Sequence, residues 1–471
     1  MLAVGDNAFD SSSLRVAPVQ SIGNNAPMKS WIFAAPRSVR FASVFAFGLL
    51  AGCQSLMHKP EPESVPEAAP PAPVFVEPVA THRFELQPDQ DVIGELQITK
   101  VEGEDTFSDV ARRFNVGYEE MVRANPGIDP WVPGVGREIV IPTQYVLPEA
   151  AREGLVINLA QLRVYYFPPA KEGEPQTVIT HPIGIGKVGW STPEGSTKIT
   201  GKTKNPTWFP PSSVRKEHRE AGDPLPAKVP PGPDNPLGAY MMTLGWPSYL
   251  VHGTNKPYGV GMRSSHGCLR FYPEDIEQLY GAIPVGTKVT VVNQPFVFGW
   301  RDGSLYVQAF PIAEDDEREH PAGAEALLNA AISDEMWQTI RAHNVAVDLE
   351  LVNKVATDSR GIAVPVTYIA APVDAHAKYS RKKAPAPTRP AFSMDQYLTA
   401  ARHVENRLPE GSNWNGKDEL LVSTAEFEAA RTGTILPKES APKKAPKPAP
   451  KSNKQTAVPA ASTPVAKGTS N

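Results

Sequence analysis

Between residues 96 and 142 the apolar positions change period twice. Ile98 and Val101 bracket a short β-type run, then Phe107, Val110, Ala111 and Phe114 recur at the spacing of one helix face. A second helix is expected over 118–124, stopped by Asn125-Pro126-Gly127, and residues 137–142 return to a β-rich run. Asp105 or Thr106 is placed to cap the first helix. The predicted order is strand, helix, helix, strand over 96–148.

From 149 to 293 the pattern is different. Short runs rich in Val, Ile, Tyr and Phe lie at 155–159, 162–167, 177–180, 237–243, 249–251 and 288–292, with Gly and Pro between them. Gly184 and Gly186 sit in a further run, 181–186, and are not a dinucleotide fingerprint, because no third glycine at the right spacing and no strand–helix–strand pattern follows. Such punctuation predicts a mostly antiparallel β-sandwich, with one helix opening at Tyr272-Pro273-Glu274-Asp275. Residues 205–236 interrupt it with a proline-heavy, charged stretch, read as a lid or rim over a cleft. Its Trp208 and Phe209 are equally readable as core.

Beyond 293, residues 296–308 read as a hairpin turning at Asp302-Gly303. Amphipathic helices are expected over 322–332 and 334–343, and a return to strand over 352–369, within an extension spanning 294–435. The ends are of other kinds. Residues 436–471 repeat Pro, Ala and Lys and are expected to be a disordered tail, and 54–95, rich in Pro, Glu and Ala, an extended tether. Over 1–53, Met28 is the better start: Arg37 and Arg40 precede an apolar run at 41–51 with the length of a signal-peptide core. That run ends in Leu50-Ala51-Gly52-Cys53, which resembles the lipobox of a bacterial lipoprotein. The resemblance implies cleavage before Cys53, its lipidation as a membrane anchor, and, since Gln54 follows, a periplasmic protein sorted to the outer membrane.

Composition narrows this further. At 471 residues the chain has room for two or three domains, and its 50 prolines point to linkers as well as globular parts. A net charge of −4 argues against nucleic acid as partner. Two cysteines, neither in a metal-ligand spacing, make no disulfide framework and predict no structural metal; no cofactor is implied either.

Once Cys53 is assigned to the leader, Cys268 is the remaining thiol, with His252 sixteen residues before it and His266 two before it. A thiol near its free pKa of about 8.5 is mostly protonated at neutral pH, so covalent catalysis needs an imidazole to take its proton. Gly267 leaves room for a substrate carbonyl and an oxyanion hole, and Arg270 offers a bidentate grip on a carboxylate. The full string, His252-Gly253-Thr254, an interval with Gly259 and Gly261, then Ser265-His266-Gly267-Cys268-Leu269-Arg270, resembles the L,D-transpeptidase (YkuD) catalytic domain. So does the segment from Gly184 to Thr192-Pro193-Glu194-Gly195. The resemblance implies a mainly β, YkuD-type sandwich in which Cys268 is the nucleophile and His252 the proton donor and acceptor. It places His266 and Gly267 in the catalytic site and Ser265, Arg270, Gly253 and Thr254 around the substrate. His266 orients or polarises, or is structural; His181 and His218 read as surface or structural.

The implied substrate is the peptidoglycan tetrapeptide stem, attacked at the L-centre of its meso-diaminopimelate with loss of terminal D-alanine. The acceptor is left open among a second stem, an outer-membrane lipoprotein and water. The module at 96–148 resembles a LysM domain, implying glycan-strand binding at Gly103, Asp105, Thr106, Asn125 and Ile128, or a spacer of that fold. The competing class is an inert LysM-containing wall anchor.

Overall fold

The computed structural model describes residues 72–78, 82–369 and 391–408, with scattered positions between 414 and 437. The leader with Cys53, and the tail beyond its first two residues, lie outside the described residues.

A nine-stranded sheet carries the catalytic region. Its spatial order is Arg83–Glu85, Thr177–Pro182, Arg163–Phe167, Gly154–Asn158, Lys288–Val292, Gly195–Lys204, Tyr240–Leu244, Leu250–His252 and Leu269–Arg270. Neighbours are antiparallel except Gly154–Asn158 with Lys288–Val292 and Leu250–His252 with Leu269–Arg270. The ten-residue strand Gly195–Lys204 is the corner: residues 195–198 pair with 288–291, and after a register shift between Ile199 and Gly201 the rest pairs with Tyr240–Leu244. A shift of this kind bends and twists a strand, which lets one sheet fold over onto itself. The core between is Leu155, Ile157, Val164, Tyr166, Val251, Leu269, Val289 and Val291 with Ile276 and Leu279 of the helix Pro273–Ala282. The mostly β reading of 149–293 holds.

All five residues of Arg163–Phe167 are buried, because both sheet faces are covered. Val164 and Tyr166 face the catalytic core, while Tyr165 and Phe167 pack with Leu86, Ile93, Tyr145 and Leu147. This corrects the tether: its last part is folded, with Arg83–Glu85 paired to 177–179 and Val92–Gly94 to Gln144–Val146. Val92 and Ile93 supply the apolar surface that the Pro/Glu stretch before them lacks.

The module at 96–148 has the expected order: Gln97–Lys100, Phe107–Arg113, Tyr118–Ala124 and Glu138–Ile141. Thr106 is the cap, in a reciprocal box with Asp109. The module is fused to its neighbours. Gly117 and Gly261 touch so closely that a Cβ on Gly261, at φ +78°, would lie 2.3 Å from the Gly117 Cα. Tyr118 N–H and Glu119 N–H donate to Val260 O and Gly261 O, both at 3.3 Å, and Tyr258 and Met262 enter the module's own core. Behind this contact, fully buried Arg163 forms a two-pronged pair with Glu120 at 3.0 and 2.9 Å and stacks 4.0 Å over Tyr145. His181, also buried, sits 3.0 Å from Asp275 and 3.1 Å from Asn115 of the module.

The extension packs on the module's other side. The hairpin Phe296–Arg301 and Ser304–Ala309 is as expected, with Val364–Pro365 as its third strand, and helices Ala324–Ala331 and Asp334–Ala342 follow the predicted runs. Residues 352–369 differ. Leu351, Val352 and Val355 fall on one helix face, so Leu349–Asp358 is a helix capped by Asp348 and ended by Ser359 at φ 45°; strand resumes only at 364. The extension's core includes Leu96, Ile98, Ala124 and Val140 of the module. Arg402–His403 then adds a parallel strand beside Gln97–Ile98, and buried Val404 joins the module's core.

Because the Arg163–Glu120 pair is inaccessible, removing one charge strands the other. Glu120→Ala is expected to cost about 3–5 kcal/mol in denaturant unfolding, with the module and catalytic sheet melting together. A loss under about 1 kcal/mol, the size typical of an exposed pair, would contradict that burial.

Candidate active site

The strand Leu250–His252 lies next to the edge of the sheet and ends in His252, and its parallel partner, the edge strand Leu269–Arg270, follows directly on Cys268. The register sets Val251 against Leu269 and His252 against Arg270, and Phe271 N–H donates to His252 O at 2.9 Å. Cys268 therefore sits immediately before a strand that runs parallel to the one ending in His252, strands being about 4.8 Å apart. The thiol is half-buried, with its sulfur 3.7 Å from Ser248 O.

His252 is buried and its Nδ1 lies 2.6 Å from Gly253 O. A carbonyl only accepts, so Nδ1 carries the hydrogen and Nε2 keeps a lone pair, as a base requires. Burial, and next the Arg270 guanidinium, pull the imidazole down to about 3. Burial also pushes the Cys268 thiol up, against opposing pulls from a backbone hydrogen bond and Arg270. The resting pair is thus thiol and neutral imidazole, and a proton moves only as sulfur attacks.

The turn before Cys268 is knotted internally. Ser265, buried, donates through Oγ to Cys268 O at 2.6 Å and accepts from Gly267 N–H at 3.2 Å. Thr192, of the Thr192-Pro193-Glu194-Gly195 string, donates to Gly267 O at 3.0 Å. Gly267 has φ +99°, and a Cβ there would meet the Tyr249 ring at 2.9 Å, so both conformation and space demand glycine. Arg270 reaches Ser264 Oγ at 3.1 Å, and its Nε is buried without a partner. Gly253 supplies the carbonyl that fixes His252, and buried Thr254 accepts from Lys256 N–H at 2.9 Å.

His266 stands on the other side of the turn, its Nε2 2.8 Å from Glu217 Oε2. Glu217 belongs to the insertion, whose Ser212–Glu220 is a helix; Trp208 is half-buried and bridged to Val229, and Phe209 is exposed. Lys187, Trp190 and Glu217 around His266, and Asp315, which binds Arg263 at 2.7 Å and Ser191 at 3.0 Å, were not singled out as site residues from sequence. Their positions, 187–190, 217 and 315, are too far apart for a spacing signal. Among the described residues, no group of three or more His, Cys, Asp or Glu stands where it could hold a metal ion.

The residues assigned to the glycan are mostly engaged inside the protein. Asp105 forms a buried two-pronged pair with Arg113 at 2.9 and 3.0 Å and accepts from Asn406 at 2.9 Å. Asn125 donates to Met121 O and Val140 O and accepts from Val140 N–H. Thr106 is the helix cap, Ile128 packs on the module's core, and Gly103, at φ +50°, faces open space.

A half-buried cysteine just before the edge strand Leu269–Arg270 and a buried histidine at the end of the parallel strand beside it, its imidazole fixed by a backbone carbonyl, define a site suited to nucleophilic acyl transfer. Residues 152–291 match the family described as the L,D-transpeptidase catalytic domain, YkuD, and residues 100–142 match the LysM domain. The probable L,D-transpeptidase YcfS of Escherichia coli (strain K12) is 39% identical over 247 residues, 51% of this chain and 76% of that protein. The probable L,D-transpeptidase YbiS of the same strain is 44% identical over 200 residues, 42% of this chain and 64% of that protein. The chain belongs to the L,D-transpeptidase family and carries a LysM domain.

Alkylation of Cys268 by iodoacetamide tests the neutral pair. Because the thiol is pushed up, its rate at pH 7 is expected below that of free cysteine, climbing about tenfold per pH unit toward a midpoint above the ordinary thiol range. A fast plateau from pH 5 upward would mean a thiolate–imidazolium pair instead.

Proposed function

We propose that this protein is an L,D-transpeptidase that acts on peptidoglycan tetrapeptide stems through an acyl-enzyme on Cys268. The observation that carries the reading is the fixed tautomer of His252 next to a cysteine that immediately precedes the paired strand. The Cys268 sulfur attacks the carbonyl of the stem's third residue while His252 Nε2 takes the thiol proton. The C–N bond to the terminal D-alanine breaks, and His252 returns the proton to the departing amine. A thioester remains. An acceptor amine attacks it, losing a proton to His252, which gives it back to the sulfur; water in place of the amine gives hydrolysis.

Gly267 allows the nucleophile's turn, Ser265 holds it, and His266, Arg270, Gly253 and Thr254 surround the reacting groups. The acceptor is a second stem, giving a three-to-three cross-link, or the free amine of an outer-membrane lipoprotein. The leader supports a lipid anchor at Cys53 and a periplasmic place at the outer membrane. The LysM domain would hold the glycan strand, and its fusion to the loop before Cys268 would keep that strand in register with the site.

Muropeptide analysis of sacculi incubated with the protein tests this. The wild-type chain is expected to release D-alanine and form new cross-links or lipoprotein-linked muropeptides, and Cys268→Ser to form none while still binding sacculi. Equal product from both would overturn the assignment. Sacculus binding without product from either would favour an inert wall anchor.

A further inference from the structure

Glu217 lies outside every motif that carries the family likeness. It sits on the insertion helix Ser212–Glu220, three residues past buried Val214 and so on the same helix face. Its two carboxylate oxygens have different partners: Oε1 accepts from Lys187 Nζ at 2.5 Å, and Oε2 lies 2.8 Å from His266 Nε2. Lys187 is buried and tied by its own N–H to Ser265 O at 2.9 Å, and Trp190 of the same turn meets the His266 ring edge-on at 4.8 Å. His218 follows Glu217 on the helix, its ring 6.2 Å from that of His266. His266 is therefore held on three sides, two residues from the nucleophile.

A carboxylate only accepts, so the proton of a neutral His266 is placed on Nε2 and the lone pair on Nδ1. Burial holds His266 below the ordinary histidine value, and Lys187 and His218 act the same way; Glu217 alone opposes them. Glu217 itself is raised by burial, but the bonds from Lys187 and His266 prevail and leave it ionised below the ordinary carboxylate range.

We propose that Glu217 is a positioning residue of the transfer reaction, which fixes His266 as the Nε2-protonated imidazole beside Gly267 and Cys268 and couples the insertion helix to the nucleophile's turn. This rests on the reading of Cys268 as the nucleophile. A neutral His266 with a free Nδ1 lone pair suits N–H donors, and both the scissile amide and the acceptor amine carry them. Glutamine at 217 keeps the size but offers both a donor and an acceptor, so it no longer dictates the tautomer, and it removes the one charge that favours protonation.

The test uses the full chain with Glu217→Gln, His266→Asn and the double variant. Three quantities are read: steady-state release of D-alanine, the ¹⁵N titration of His266, and thermal unfolding. Glu217→Gln is expected to fold with a modest loss of thermal stability, since Lys187 loses its counter-charge, to lower the His266 midpoint, and to lose about tenfold in kcat/KM, the lower end of what removing the partner of a metal-bound imidazole costs. Cys268 alkylation is expected not to change. Added to His266→Asn, it should cost nothing further, since its effect passes through that ring. Glu217→Asp, which keeps the charge, should recover part of the midpoint shift, and serves if the glutamine variant does not fold. Wild-type kcat/KM in Glu217→Gln, full activity in His266→Asn, or the same tenfold loss in both backgrounds would overturn the proposal. Absence of D-alanine release by the wild-type chain would remove the transpeptidase reading instead, and the His266 titration in wild type and Glu217→Gln would still decide whether Glu217 sets the ring.

Discussion

The contact between Gly117 and Gly261 is the constraint on which the rest of the structure depends. No side chain fits between these backbones, and Gly261 needs a left-handed φ besides. Their approach lets the first N–H groups of the helix Tyr118–Ala124 donate to the loop joining the two halves of the catalytic string. Tyr258 and Met262, on either side of Gly261, pack with Phe107, Val110 and Met121 of the LysM domain. A loop that would otherwise be free to move is thus part of a hydrophobic core. The buried Arg163–Glu120 pair holds the same junction from behind, a buried bond from Tyr272 to Val116 O crosses it as well, and Arg112 with Glu274 bridges it nearer the surface.

This rigidity matters because the chemistry rests on environment more than on charge. His252 is oriented by a neutral carbonyl, which stabilises an imidazolium far less than a carboxylate would, and Arg270 opposes protonation further. The same burial keeps Cys268 a thiol. Attack then depends on placement: the base must stay poised while the proton crosses, and a small displacement would be costly. The turn from Ser265 to Cys268 is accordingly bonded by Ser265 and Thr192, with Glu217 and Asp315 reaching its flanks from the insertion and the extension.

The β-rich runs, the order of the LysM elements, the hairpin at Asp302-Gly303 and the catalytic string were legible because each is local: a period, a cap, a turn dipeptide or a fixed spacing. What was not legible depends on residues meeting across the fold. Glu217 stood out only as one charge in a charged stretch, and nothing at position 217 announces a partner at 266. The tether's folded end escaped notice because Arg83–Glu85 and Val92–Gly94 are three-residue strands, too short to carry a period, whose stability comes from partners at 177–179 and 144–146. The fusion of the LysM domain was hidden likewise. Nothing at Gly117 or Glu120 signals a partner until Gly261 and Arg163 are set against them, and Asp105 and Asn125, assigned to the glycan from sequence, are consumed by Arg113 and Val140. The strand expected over 352–369 is a helix in its first part, because Val352 and Val355 share one helix face with Leu351 and that face is buried.

The measurement that tests the central claim most directly is the intact mass of the chain after rapid quenching with a disaccharide-tetrapeptide, followed by peptide mapping. The account predicts a covalent adduct of the stem less its terminal D-alanine, located on Cys268, absent in Cys268→Ser, and greatly diminished in His252→Ala. An adduct on any other residue, or D-alanine release with an unmodified Cys268, would contradict it.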